Sequence, residues 1–222
     1  MQKYAKERRD QFYKLAKEDG YRARSAYKLL QIDDYLHILH NVERAVDLCA
    51  APGSWSQVLS ARLPPSAHIV AVDLAAIAPI PNVKLIQGDI TTELTANQVI
   101  AAANGLADLV VCDGAPDVTG IHDLDEFVQA ELIQAAFLIS DRILRTGGSF
   151  VAKVFRGQLT ETILVERLSQ FFKKVQIVKP AASRSSSMEA FVVGQGFKEG
   201  PGEIIQGVAC IGRGGIDSDK TY

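Results

Sequence analysis

Short apolar runs alternate with segments of helical period along most of this chain, and that alternation restricts the fold more than any other feature. Seven runs read as strands: Ala45–Cys49, His68–Asp73, Val83–Gln87, Asp108–Cys112, Ser149–Phe155, Val175–Val178 and Ala190–Val193. Residues 3–18, Ala26–Tyr35, Ser54–Arg62, Thr92–Ala103, Asp125–Leu144 and Thr160–Phe172 read as helices. Gly20 breaks the first of these, and Ser25 is placed to cap the second. Strands that are apolar throughout, joined through amphipathic helices, form a mostly parallel sheet with helices on both faces. The last two runs lie close together, so an antiparallel hairpin is expected at one edge. At 222 residues the chain has room for one domain. Residues 1–197 are expected to form it, including a basic helical arm over 1–36, with a glycine-rich tail over 198–222.

Several classes are disfavoured. No apolar run approaches the ~20 residues that span a bilayer, and the charged N-terminus lacks the apolar centre of a secretory signal. Cys49, Cys112 and Cys210 are odd in number and widely spaced, which fits a reducing compartment and a cytoplasmic protein. No His, Cys or carboxylate cluster has metal-ligand spacing, so no metal is expected. Charge is segregated. Residues 1–28 hold nine basic side chains against four acids, a net +5, whereas the remainder is −7. A basic arm on an acidic body suits a polyanionic partner, although a solvated charged helix gives the same composition.

In an open parallel sheet, ligands bind beyond the carboxyl ends of the strands. There the chain places Ala50-Ala51-Pro52-Gly53-Ser54-Trp55 after the first strand, Asp73 after the second, Asp89 after the third and Asp113 after the fourth. This is a nucleoside-binding layout. Gly53 would let the backbone approach a ligand, Asp73 would accept both ribose hydroxyls, and Asp89 would accept from an adenine amine. The loop has one glycine where a dinucleotide pyrophosphate wants three, so a nucleoside without phosphates is favoured, S-adenosylmethionine being the common one. Lys153 stands inside an apolar strand, where lysine is rare unless paired or snorkelling.

These residues resemble a known family. Asp47-Leu48-Cys49-Ala50-Ala51-Pro52-Gly53-Ser54-Trp55-Ser56-Gln57 looks like the first motif of the FtsJ-type ribose 2′-O-methyltransferases, and Arg22-Ala23-Arg24-Ser25-Ala26-Tyr27-Lys28-Leu29 like their N-terminal motif. Gly88-Asp89-Ile90, the Asp113 turn, Lys153-Val154-Phe155-Arg156-Gly157 and Ser183-Arg184-Ser185-Ser186-Ser187-Met188-Glu189 follow in family order. The resemblance implies a Rossmann-like class I methyltransferase fold and S-adenosylmethionine as methyl donor. It carries a catalytic tetrad onto Lys28, Asp113, Lys153 and Glu189, and donor-binding positions onto Gly53, Trp55, Asp73, Asp89 and Asp113. The turn Asp113-Gly114-Ala115-Pro116-Asp117-Val118-Thr119-Gly120 is similar to the eukaryotic tRNA-modifying branch, whereas the bacterial ribosomal branch has Met and Asn in place of Gly114 and Asp117. That branch methylates anticodon-loop riboses at positions 32 and 34 with position-selecting partners, a WD-repeat protein and a helical-repeat protein.

On this reading Lys153 either takes the proton of the ribose hydroxyl as a base or, if it stays charged, only orients the oxygen and stabilises the developing alkoxide, while Asp113 orients Lys153 and the hydroxyl, Lys28 steers the ribose-phosphate and Glu189 holds a lysine in place. Arg8, Arg9, Lys14, Arg22 and Arg24 would contact tRNA phosphates. The rivals are the same chemistry on ribosomal RNA or an mRNA cap, a non-catalytic RNA-binding subunit, a small-molecule O-methyltransferase, and a nicotinamide oxidoreductase. The intact tetrad disfavours the silent subunit, the basic arm the small-molecule enzyme, and the single-glycine loop the oxidoreductase.

Overall fold

A computed structural model of the chain describes residues 11–115, 122–155, 158–184 and 187–198. Its centre is a seven-stranded sheet in the order β3-β2-β1-β4-β5-β7-β6. The strands are β1 (Arg44–Leu48), β2 (His68–Asp73), β3 (Val83–Gln87), β4 (Ala107–Cys112), β5 (Leu144–Phe155), β6 (Phe172–Val178) and β7 (Glu189–Phe197). Pairs among β1 to β5 are parallel, and β7 runs antiparallel to both β5 and β6. The hairpin stands at one edge, as expected. Its second strand is the inner one, inserted between β5 and β6. That insertion brings the first residue of β7 to the carboxyl end of β5, where Phe155 pairs with Glu189.

The helices are α1, described over 11–18, then α2 (Ala26–Leu36), α3 (Ser54–Arg62), α4 (Glu93–Ala103), α5 (His122–Ile143) and α6 (Gln158–Phe171). The two-residue period of the strands sorts their side chains into two cores. Val46, Val70, Val110, Phe150 and Val192 pack against α4, α5 and α6. Ala45, Ile69, Leu109, Val111, Val151 and Phe191 pack against α2 and α3 through Leu29, Ile32, Trp55, Val58 and Leu59. No helix among the described residues is long and apolar enough to cross a membrane.

Local chemistry sets the element ends. Thr92, read as the first residue of α4, lies outside it as its N-cap, with Oγ1 accepting from the Thr95 N–H. Asn104 ends the same helix at φ +50°. Gly20 takes φ +75° and stops α1 as expected. Ser25 does not cap α2. It is itself in the right-handed helical region, and its hydroxyl pairs with Ser54 Oγ at 2.6 Å. Leu144, read as the last helical residue of α5, instead opens β5, because it is buried and pairs with Ala107. Phe172, read as the end of α6, starts β6 as one of the largest fully buried side chains.

Candidate active site

Strand alternation decides which side chains meet beyond the carboxyl ends of β4 and β5. Val111 and Val151 face α2, so Asp113 and Lys153, two positions further along, fall on the same face. On β7, Phe191 faces α2, and so does Glu189. Cys112 pairs with Ala152, which sets Asp113 level with Lys153. α2 then delivers Lys28 from above the sheet. Its Nζ donates to Glu189 Oε2 at 2.8 Å and to Asp113 Oδ1 at 3.4 Å. Lys153 Nζ donates to the Asp113 carbonyl at 2.7 Å and stands 3.3 Å from the same Oδ1. One carboxylate oxygen thus lies between two ammonium groups. Lys28 and Lys153 are only 7% and 8% exposed, a degree of burial lysine tolerates only when paired. All four residues of the sequence-predicted tetrad are brought into one cluster.

Its charges are unequal in environment. Burial pushes the Asp113 carboxyl up and Glu189 adds to the rise, so it stays above the ordinary carboxylate value although Lys153 and Lys28 pull it down. Burial also acts to raise Glu189, but the charge and hydrogen bond of Lys28, the Ser183 hydroxyl and Lys153 outweigh it, and the carboxyl is held below its usual value. Ser183 Oγ donates to Glu189 Oε1 at 2.8 Å. Gln129 on α5 is buried and donates from Nε2 to the Lys153 carbonyl at 2.7 Å, fixing the strand that carries the lysine. Sequence reading missed both roles. A glutamine inside the apolar stripe of α5 is the signal that marks the second.

The half expected to bind a nucleoside is built from loops. The Asp73 carboxylate, at the end of β2, accepts from the Ala51 N–H at Oδ2 and from the Ala75 N–H at Oδ1, both at 2.8 Å. It therefore shapes the loop that precedes α3 as well as offering lone pairs outward. α3 begins right after Gly53, so its first N–H groups, which have no intrahelical acceptor, front that loop. Asp89 Oδ1 accepts from the Thr91 N–H and hydroxyl. Leu74, next to Asp73, is 68% exposed and puts an apolar surface at the end of β2. Asp47 on β1 is fully buried below them. Its Oδ2 accepts from Ser56 Oγ at 2.6 Å, and its Oδ1 has no partner among the described residues. Burial, offset in part by Ser56 and reinforced by Asp113 and Asp73, pushes this carboxyl up to about 7. Among the described residues no three His, Cys, Asp or Glu are grouped as a metal ion would need.

Three of the expected residues make contacts that the sequence did not reveal. The Trp55 side chain is 2% exposed, packs on Phe191 at 5.5 Å between ring centroids and donates Nε1–H to the Ser25 carbonyl. It belongs to the core, and only its backbone at the start of α3 fronts the loop. Gly53 holds φ +103°, and a side chain there would run into Arg22 Nη1 and Ile80 Cδ1, each 2.7 Å from its Cβ position. The glycine thus admits Arg22 and Ile80 to that space. Arg22, expected to meet tRNA phosphate, is half-buried and its guanidinium donates to the carbonyls of Pro52, Ala78 and Pro79. Of the remaining proposed RNA-binding residues, Lys14 is exposed on α1, Arg24 is half-buried, and Arg8 and Arg9 lie outside the described residues. α1 is docked on α2 through the Tyr27 hydroxyl on Asp19 and the Tyr27 ring 5.5 Å from Phe12.

Comparison with known proteins bears on this arrangement. Residues 21–197 match the family of FtsJ-like methyltransferases. A human tRNA (cytidine(32)/guanosine(34)-2′-O)-methyltransferase is 55% identical over 92% of the chain, which spans 63% of that relative. A tRNA (guanosine(34)-2′-O)-methyltransferase of Drosophila melanogaster is 46% identical over the whole chain and 80% of its own length. Among solved structures, a protein assigned as a ribosomal RNA methyltransferase from Plasmodium falciparum superposes with a TM-score of 0.69 at 26% identity, covering 80% of this chain and 98% of that one.

Proposed function

The chain belongs to the FtsJ-like methyltransferase family, and from that membership we propose that it methylates ribose 2′-hydroxyls in the anticodon loop of tRNA, at positions 32 and 34, with S-adenosylmethionine as donor. The observation that carries this is the buried cluster of Lys28, Asp113, Lys153 and Glu189 beside the Asp73 and Asp89 loops. S-adenosylmethionine, when bound, supplies a methyl carbon made electrophilic by its sulfonium. The remaining chemistry falls to the chain. Asp73 would accept from the donor ribose hydroxyls and Asp89 from the adenine amine, and the exposed Leu74 would offer the base an apolar surface. The first-turn N–H groups of α3, those of Ser54 and Trp55 among them, front the donor loop at Gly53. Asp113 joins the two halves, since it closes the strand between them.

At the acceptor side Lys153 Nζ is anchored on the Asp113 carbonyl; as the neutral amine it accepts the proton of the attacking 2′-hydroxyl, whereas as the ammonium it can only orient that oxygen and stabilise its developing charge. Lys28, fixed by Glu189, presents positive charge to the developing alkoxide and the adjoining phosphate. An anticodon loop is single-stranded and can splay one ribose into a site of this size. Residues 1–197 form the methyltransferase unit, with Arg8, Arg9, Lys14 and Arg24 of the arm toward tRNA and 198–222 as a tail. Position selection is assigned to separate WD-repeat and helical-repeat partners, on the family resemblance. The likeness to a ribosomal RNA methyltransferase supports ribosomal RNA as a second substrate reading, but at 26% identity against 55% for a tRNA enzyme.

Ribose-methylation mapping of RNA from cells with wild-type chain, no chain or Lys153→Ala tests the proposal. Methylation at positions 32 and 34 is lost in the last two. In purified protein Lys153→Ala lowers kcat by at least about 10²-fold, with affinity for S-adenosylhomocysteine kept. Comparable turnover overturns the role of Lys153, and loss of methyl groups from ribosomal RNA alone overturns the substrate.

A further inference from the structure

Arg22 lies on the stretch between α1 and α2, and its geometry is that of a strut between two loops. Nη1 donates to the Pro52 carbonyl at 3.0 Å and to the Ala78 carbonyl at 2.8 Å, and Nη2 donates to the Pro79 carbonyl at 2.8 Å. The first acceptor adjoins Gly53 in the loop before α3. The other two belong to the segment that follows Asp73 and Leu74. Prolines at 79 and 81 keep that segment out of any hydrogen-bonded ladder, so its carbonyls need donors from elsewhere. The planar guanidinium fork can serve several at once, which an ammonium cannot do with the same geometry.

The strut is itself fixed. The Arg22 N–H donates to Gln57 Oε1 at 2.8 Å, and Gln57 Nε2 donates to the Gly20 carbonyl at 3.0 Å. Ser60 Oγ holds the far end of the segment through the Pro81 carbonyl at 2.6 Å. Asp73 ties the same two stretches together at Ala51 and Ala75.

We propose that Arg22 is a positioning residue of the methyl-donor pocket: it sets the spacing between the 50–53 loop and the 74–80 segment, between which the donor nucleoside lies. This rests on the methyl-transfer reading above. It takes Arg22 out of the tRNA-binding arm and gives it to the donor.

The test uses the full chain, wild type and Arg22→Lys, titrated calorimetrically with S-adenosylhomocysteine and separately with tRNA between 50 and 200 mM salt. Arg22→Lys weakens S-adenosylhomocysteine binding about tenfold. It raises KM for the donor far more than it lowers kcat, and it leaves tRNA affinity and its salt slope as in wild type. Unchanged S-adenosylhomocysteine affinity overturns the inference. A salt slope smaller by about one phosphate, with the donor unaffected, assigns Arg22 to tRNA instead. A wild-type chain that binds no S-adenosylhomocysteine overturns the methyl-transfer reading as well, and so is told apart. Amide exchange gives a readout on wild type alone, free of any folding defect in the variant. S-adenosylhomocysteine slows exchange at Ile77, Ala78 and Ile80, and exchange there that ignores the ligand overturns the inference.

Discussion

Asp47 shows what full burial does to a single carboxyl. Burial, with Asp113 and Asp73 nearby and no partner for Oδ1 among the described residues, pushes it up to about 7. In the unfolded chain an aspartate gives up its proton near ~3.9. Between those values the folded state binds the extra proton, so this group's contribution is full below pH ~4 and is lost as pH rises through about 7. Asp47→Asn keeps the shape and cannot ionise. Its unfolding free energy relative to wild type therefore grows by about 2–3 kcal/mol from pH 5 to pH 8, read from urea melts at each pH. Parallel curves would mean that Asp47 holds no proton. Glu189 works in the opposite sense, since its lowered carboxyl loses its stabilisation only in acid. Gly114, read from the sequence only as a branch marker, has a physical basis at this scale. A Cβ there would lie 2.8 Å from both Cβ and Sγ of Cys49 and 2.9 Å from Leu132 Cδ2, so that turn has no room for methionine without displacing those side chains.

Among elements, the α2–α3 contact depends on Trp55, which joins helix to helix through the Ser25 carbonyl and helix to sheet through Phe191. Trp55→Phe removes the hydrogen bond and part of the packing. It costs about 1–3 kcal/mol of stability by denaturant melts while S-adenosylhomocysteine affinity stays within twofold. A tenfold loss of that affinity would return the indole to the donor pocket. β2 and β3 were legible residue for residue, because their apolar runs end at turn residues on both sides. β7 was not. Read as Ala190–Val193, it continues to Phe197 across Gly194 and Gly196. Those glycines look like a strand end in sequence. In space a Cβ at Gly194 would meet the Phe172 ring at 2.7 Å, so the residue is small because β6 packs over it. β6 is an edge strand, and its exposed Lys173 and Lys174 discourage a further strand from pairing there.

At the scale of the molecule, the +5 of residues 1–28 and the −7 of the remainder are what the proposed tRNA contact rests on. About four phosphate contacts from the arm, those of Arg8, Arg9, Lys14 and Arg24, imply that tRNA affinity falls by roughly 10²-fold between 50 and 200 mM salt, measured by filter binding. A flat profile would contradict the phosphate reading. The same scale limits what the sequence could reveal. Acids at strand ends were readable from alternation alone, because each closes its own strand. The tetrad was readable only through resemblance, since Lys28 and Glu189 meet across 161 positions and neither is unusual where it stands in the chain. That distance also orders events in time. Synthesis runs from the N-terminus, so the Asp73 and Asp89 loops leave the ribosome well before β7 does. Glu189 is the last of the four clustered residues to emerge, and Lys28 waits for it. A polypeptide cut short ahead of β7 can carry every residue proposed to hold the donor and still lack the carboxylate that fixes Lys28. On the proposed roles, the cluster is complete only once β7 has emerged.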